Sequence, residues 1–190
     1  MLELRNISVD YADQPIMSNL SLTVATKEIV SLVGPSGSGK TTLLRVIAGL
    51  EKPRTGSIVI DGSDISAVPT HQRGIGLVFQ DNQLFPHLTV EQNIAYPLRM
   101  RGQSKADYQP QVEAMLHLIG LQQFGSRHVQ HLSGGEAKRV AVARSLIAQP
   151  SVLLLDEPLT GLDTELHDRL LHDIAALLRA RGTTVVHVTH

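Results

Sequence analysis

Apolar and polar residues alternate through much of the first thirty positions. In "LELRNISVDY" (Leu2–Tyr11) and "SLTVATKEIV" (Ser21–Val30) the period is close to two, which predicts antiparallel strands with one face turned to a core. "SIVI" (Ser57–Ile60) adds a strand, and Asp61-Gly62 behind it is a tight-turn signal. Between residues 82 and 150 the period changes. "TVEQNIAYPLRM" (Thr89–Met100) and "QVEAMLHLIGLQQF" (Gln111–Phe124) carry apolar residues three and four apart and predict helices, with the polar stretch "RGQSKADYQP" (Arg101–Pro110) as a break between them. Two short, nearly continuous apolar runs follow, "SVLLLDE" (Ser151–Glu157) and "TTVVHVTH" (Thr183–His190), on either side of the amphipathic segment Glu165–Gly182. That is the strand, helix, strand order of a buried parallel sheet. The pattern predicts an α/β chain with a parallel-sheet core, an N-terminal antiparallel β subdomain and an inserted helical subdomain. Approximate bounds are 1–81 and 151–190 for the core with its β subdomain, and 82–150 for the helical insert.

Composition narrows the chemistry. The chain has 190 residues, 42% of them hydrophobic, enough to bury one core with an insert. A formal net charge of −1 provides no general field for nucleic acid or anionic lipid, so no nucleic-acid partner is expected. With no cysteine there is no disulfide, thiolate zinc site or cysteine nucleophile. No run approaches the roughly 18 apolar residues of a spanning helix.

The sharpest motif lies in "EIVSLVGPSGSGKTTLLRVIAGL". An apolar strand leads into Gly34, Pro35, Ser36, Gly37, Ser38 and Gly39; Lys40, Thr41 and Thr42 then open a helix expected to turn Leu43, Leu44, Ile47 and Leu50 to one side. Glycines let the backbone curl so that successive N–H groups point at phosphate oxygens, and the helix N-terminus favours the same charge. Lys40 is expected to bridge β- and γ-phosphates, and the Thr41 hydroxyl to ligate Mg²⁺. Asp156 and Glu157 end the strand "VLLLDE". A strand of the same parallel sheet delivers its last residues to the same edge, so Asp156 can reach a Mg²⁺ shell and Glu157 an attacking water.

"HLSGGEAKRVAVARSL" (His131–Leu146) also resembles a helix start, without a lysine. Ser133 is an N-cap type, Gly134 and Gly135 follow, and Glu136 completes the S-x-x-E spacing of a capping box.

Taken in order, "GPSGSGKT", "LSGGE", "LLLDEP", "GLD" (Gly161–Asp163) and "VTH" ending at His190 resemble ATP-binding cassette proteins along the whole chain. The signature "LSGG" is specific, because other phosphate-loop enzymes lack it. "HQRGIGLVFQDNQLFPHLTVEQNIAYPLRMRG" closely resembles a segment of the ATPases of bacterial importers for sugars, polyamines and ferric iron.

The resemblance implies roles residue by residue. Tyr11 matches the aromatic that stacks on adenine, although it also reads as an ordinary strand-end tyrosine. Gln80 matches the glutamine that touches Mg²⁺ and the attacking water. Glu157 matches the general base, Asp163 the aspartate linking two sites, and His190 the switch histidine near the γ-phosphate. Ser133, Gly134, Gly135 and Glu136 match the signature that faces ATP held by a second copy; most members have glutamine where Glu136 stands. Leu84, Phe85 and Pro86 match the region under the groove for a membrane subunit.

The implied protein is an ATP- and Mg²⁺-dependent ATPase working as a head-to-tail homodimer. Its expected partners are transmembrane permease subunits and a substrate-binding protein, and its expected place is peripheral, on the cytoplasmic face of the inner membrane. A soluble ATPase outside transport, or a truncated nucleotide-binding module without turnover, are the alternative readings. Members of the group continue past the switch histidine, whereas this chain stops at His190. The strand "TTVVHVTH" is therefore expected to lie next to an open sheet edge.

Overall fold

The computed structural model describes residues 1–11, 14–157 and 164–189. Its elements run β1 (Leu2–Tyr11), β2 (Gln14–Val24), β3 (Ile29–Val33), α1 (Lys40–Ala48), β4 (Thr55–Ile60), β5 (Ser63–Asp64) and β6 (Ile75–Val78). They continue with α2 (Val90–Met100), α3 (Lys105–Leu118), α4 (Gly134–Ile147), β7 (Val152–Asp156), α5 (Thr164–Arg181) and β8 (Thr184–Thr189). Contacts divide the chain into two units, Met1–Leu77 with Pro150–Asp156 and Gly182–His190, and Val78–Gln149 with Glu157–Arg181.

In the first unit, alternation becomes an antiparallel sheet in the order β2-β1-β4-β5. Asp61 and Gly62, with φ of 48° and 81°, form the two-residue turn that pairs Ile60 with Ser63. A second sheet runs β3-β8-β7-β6, with β3, β8 and β7 parallel. Every residue of β7 is buried, so the run Val152–Leu155 needs no alternation. One hydrophobic core joins Leu2, Leu4 and Ile7 of β1, Leu44 and Ile47 of α1, Leu154 of β7 and Val186 of β8.

Three expectations change here. "SLTVATKEIV" is not one antiparallel strand: Lys27 takes φ 69°, the Glu28 N–H bonds Ala25 O, and the run splits between the end of β2 and the start of the parallel strand β3. Alternation passes through a turn unbroken when the turn residues happen to be polar. Leu50 is half exposed, because Gly49 at φ 81° ends α1 one residue earlier. The strand "TTVVHVTH" is not beside an open edge: β8 pairs with β3 on one side, from Ile29↔Val185 to Val33↔Thr189, and with β7 on the other. The outer position belongs to β3, where Val33 is 74% exposed.

In the second unit α2, α3 and α4 bury Ile94 and Leu98, Val112 and Leu116, and Val140 and Leu146. The break expected over Arg101–Pro110 is shorter than its polarity suggests. Ser104 N–H and hydroxyl both donate to Asp107 Oδ2, starting α3 at Lys105 and leaving Pro110 inside the helix. By contacts, Glu157–Arg181 groups with the helical unit and Pro150–Asp156 and Gly182–His190 with the first. Helix α5 belongs to the helical unit, where Arg181 Nη1 donates to Leu146 O at 2.9 Å.

Candidate functional site: a phosphate loop and a signature helix

Strand β3 delivers the chain to Gly34, and α1 leaves from Gly39. Gly37 and Gly39 have φ of 79° and 86°, a region where L side chains are strained. At Gly39 space is also lacking, since a Cβ would stand 2.7 Å from Ile16 Cγ2. Lys40 folds over the loop and donates from Nζ to Gly34 O at 2.7 Å and Pro35 O at 2.8 Å. The first turn of α1 carries no acid of its own to offset its positive N-terminal dipole. The far end of α1 is tied down by Arg73, which donates to Val46 O, Ile47 O, Ser66 O and Val68 O. Glycine-freed amides, a mobile ammonium and a first helical turn without acids fit a chain of phosphates.

Asp156 reaches the same sheet edge. It is level with Val188 of β8, which is level with Leu32 of β3, two residues before Gly34. The carboxylate belongs to a residue only 4% exposed. Thr41 is the second residue of α1, which packs against β7. A hydroxyl and a carboxylate are hard oxygen donors, the set that suits Mg²⁺. Gln80, the third expected metal ligand, belongs to the helical unit.

Within that unit, Gln80 Nε2 donates to Glu157 Oε2 at 3.3 Å, joining residues 77 positions apart. Glu157 follows β7 directly and holds φ at 48°, a left-handed conformation costing a non-glycine residue roughly 1–2 kcal/mol. Strain of that kind persists where surrounding contacts enforce it, commonly at functional positions.

Ser133 caps α4. Its N–H donates to Glu136 Oε2 at 2.7 Å, and the Glu136 N–H donates back to Ser133 Oγ at 3.3 Å, which is the box the spacing predicted. The Ser133 amide, above all, holds the Glu136 carboxyl below the usual glutamate range, helped by the Ser133 hydroxyl, Arg139 and Arg127 and opposed by partial burial. Among the described residues, a Cβ at Gly134 would meet nothing within 4 Å.

Tyr11 ends β1 with 74% of its surface exposed, so its ring is not core. Asp163 and His190 lie outside the described residues. His187, in β8, shares a 2.6 Å hydrogen bond with Ser31 Oγ, and burial lowers its pKa.

Sequence reading missed two residues that fasten the loop after Gln80. Asn93, fully buried in α2, accepts from Phe85 N–H at 2.9 Å and donates to Phe85 O, Leu88 O and Thr89 O. Arg144 on α4 donates to Asn82 O and Gln83 O. A polar residue on the buried side of a helical pattern was the available signal for Asn93. Arg144 gave none, because an arginine late in a helix reads as a dipole partner.

Fold and site define a phosphate-loop nucleotide-binding domain with a helical unit whose capped helix presents a glycine pair. The ABC transporter family model matches residues 17–160, and the chain belongs to that family. It is 46% identical over its whole length to the putrescine transport ATP-binding protein PotG of Escherichia coli K12, covering 50% of that protein. It is 47% identical, again over its whole length, to the Fe(3+) ions import ATP-binding protein FbpC of Streptomyces coelicolor, covering 55% of it. The chain thus spans about half the length of these curated relatives. Among solved structures, it superposes with a TM-score of 0.92 at 32% identity on the ATP-binding cassette MJ0796, a dimer in a post-hydrolysis state bound to ADP and Pi. That match covers all of this chain and 88% of the other.

Proposed function

We propose that this chain binds and hydrolyses ATP as the energising subunit of a membrane importer. The observation that carries the reading is the phosphate loop, with left-handed Gly37 and Gly39, Lys40 folded over the loop carbonyls, and Asp156 at the same sheet edge. The loop amides and Lys40 hold the β- and γ-phosphates in line for attack. Thr41 and Asp156 would hold Mg²⁺, which would supply positive charge to the phosphate oxygens. Glu157 accepts a proton from the attacking water, and Gln80, already its hydrogen-bond partner, fixes where that carboxylate points. Tyr11 offers its exposed ring to the base.

Ser133, Gly134 and Gly135 are the surface for a second copy's ATP, with Glu136 behind them. Such a pairing is isologous and closes under twofold symmetry. Two relatives at 46% and 47% identity bear transport and import names, which supports permease subunits as partners, together with a substrate-binding protein. Among the described residues no helix is long and apolar enough to cross a membrane, consistent with a peripheral subunit at the cytoplasmic face.

Steady-state ATPase measurement, with Glu157→Gln as the control, tests the reading. The variant should bind ATP, accumulate as a dimer and lose roughly two or more orders of magnitude in turnover. Turnover equal to the unaltered chain would remove Glu157 from the reaction, and absence of turnover in both would remove the ATPase.

A further inference from the structure

A cavity of about 290 Å³ opens on the helical unit, and none of the residues assigned to the nucleotide lines it. Helix α3 supplies Pro110, Gln111, Ala114 and Met115, and the end of α4 supplies Ile147 and, just beyond it, Gln149. Arg181, the last residue of α5, completes the lining. Met115 and Ile147 are buried and apolar, while Gln149 and Arg181 are exposed to solvent. The cavity therefore has an apolar base and a polar mouth, the usual division of a small-molecule site.

Charge decides what such a site would take. Arg181 is the one ionised side chain of the lining. Its Nη1 donates to Leu146 O at 2.9 Å, and the Gln149 N–H reaches the same carbonyl at 3.1 Å, so the negative end of α4 already has its donors. Among the described residues, the other N–H groups of Arg181 and the side-chain amide of Gln149 have no hydrogen-bond partner. The acids of α3 near the cavity are engaged along their own helix. Glu113 Oε1 accepts from Gln109 Nε2 at 3.1 Å, and Asp107 is held in the Ser104 cap. A planar guanidinium with unused donors is complementary to a carboxylate.

We propose that this cavity is a second ligand site, for a small organic monocarboxylate whose apolar body rests on Met115 and Ile147 and whose carboxylate is met by Arg181 and the Gln149 amide. An apolar cavity of about 150 Å³ holds benzene, so this one suits a molecule of roughly ten to twelve non-hydrogen atoms. An inorganic anion would satisfy the guanidinium and leave the apolar base in contact with water. The inference goes beyond the ATPase reading and does not depend on it.

The probe is 3-phenylpropionate, titrated into the full chain and followed by calorimetry and amide NMR shifts. Saturable binding with a Kd of about 1 mM or tighter is expected, with shifts centred on residues 110–115, 147–149 and 181. The amine of the same body, 3-phenylpropylamine, should bind at least about tenfold more weakly. Arg181→Gln keeps a donor for Leu146 O and should weaken the acid by roughly tenfold or more without weakening the amine. Ala114→Trp places an indole in the cavity from an exposed position of α3 and should abolish binding with Arg181 intact; this variant decides the question if Arg181→Gln does not fold. No saturation by about 10 mM, equal affinity for acid and amine, or unchanged affinity in either variant overturns the proposal. So do shifts confined to the phosphate loop and Tyr11, which would assign the acid to the nucleotide site.

Discussion

The Ser133 amide and the Glu136 carboxylate are 2.7 Å apart, the shorter arm of the box that opens α4. The acid is thereby turned back on its own cap, with its oxygen aimed at the serine amide. Its charge still stands in the first turn, beside the glycine pair proposed to meet a second copy's γ-phosphate.

Replacing that charge is expected to strengthen ATP-driven pairing. Glu136→Gln retains an acceptor for the Ser133 amide and removes a negative charge of the kind worth about 0.3–1 kcal/mol near a helix end, which at two symmetric sites is roughly three- to thirtyfold in dimer affinity. Sedimentation in ATP, with Glu157→Gln in both chains to suppress turnover, measures the change. Equal or weaker dimerisation leaves Glu136 as a cap with no electrostatic role.

The same carboxyl makes the cap pH-dependent. A carboxyl whose pKa is lower in the folded than in the unfolded chain adds stability above its unfolded value, and that stability disappears as pH falls through the folded value. Glu136 is shifted down, chiefly by the Ser133 amide, so its contribution is complete at neutral pH and fades in the acid range below the usual glutamate pKa. The stability difference between the unaltered chain and Glu136→Gln, followed by thermal melts, should change across that acid window and stay flat above it. A difference independent of pH from neutral to strongly acid would show that the carboxylate contributes nothing to the fold.

Gly49 and Gly62 separate two causes of glycine sensitivity. Both have φ of 81°, but a Cβ at Gly62 would meet nothing within 4 Å, while one at Gly49 would stand 2.5 Å from the Arg73 guanidinium. Arg73 cannot swing away freely because it serves four carbonyls, including two at the end of α1. Gly62→Ala should cost about 1 kcal/mol from backbone strain alone, and Gly49→Ala a further 1–3 kcal/mol or so from displaced hydrogen bonds. Urea midpoints of the two variants test this, and equal losses would mean that Arg73 relocates without penalty.

Much of the site was legible because its signals are local. A phosphate loop needs glycines, a lysine and a helix start within eight consecutive residues, and a capping box needs two residues three apart. Both could be read from "GPSGSGKT" and "SGGE" before any tertiary contact was known. Strand β7 announced itself by an apolar run that only a strand covered on both faces can carry.

Other features depend on partners that periodicity does not name. An apolar run such as "TTVVHVTH" looks the same at the edge of a sheet or inside it, and only pairing with both β3 and β7 placed it inside. "RGQSKADYQP" has the composition of a loop, yet one serine and one aspartate at cap spacing begin α3 within it. Gln80 and Glu157 are 77 residues apart, and Arg144 is about sixty from the carbonyls it holds. Chain chemistry by itself determined the phosphate loop, the caps and the buried strands, since each needs only neighbours in sequence. Tertiary structure alone decided the strand order and the clamps of Asn93 and Arg144, because a side chain's hydrogen-bond partners are chosen by where the folded backbone leaves its carbonyls.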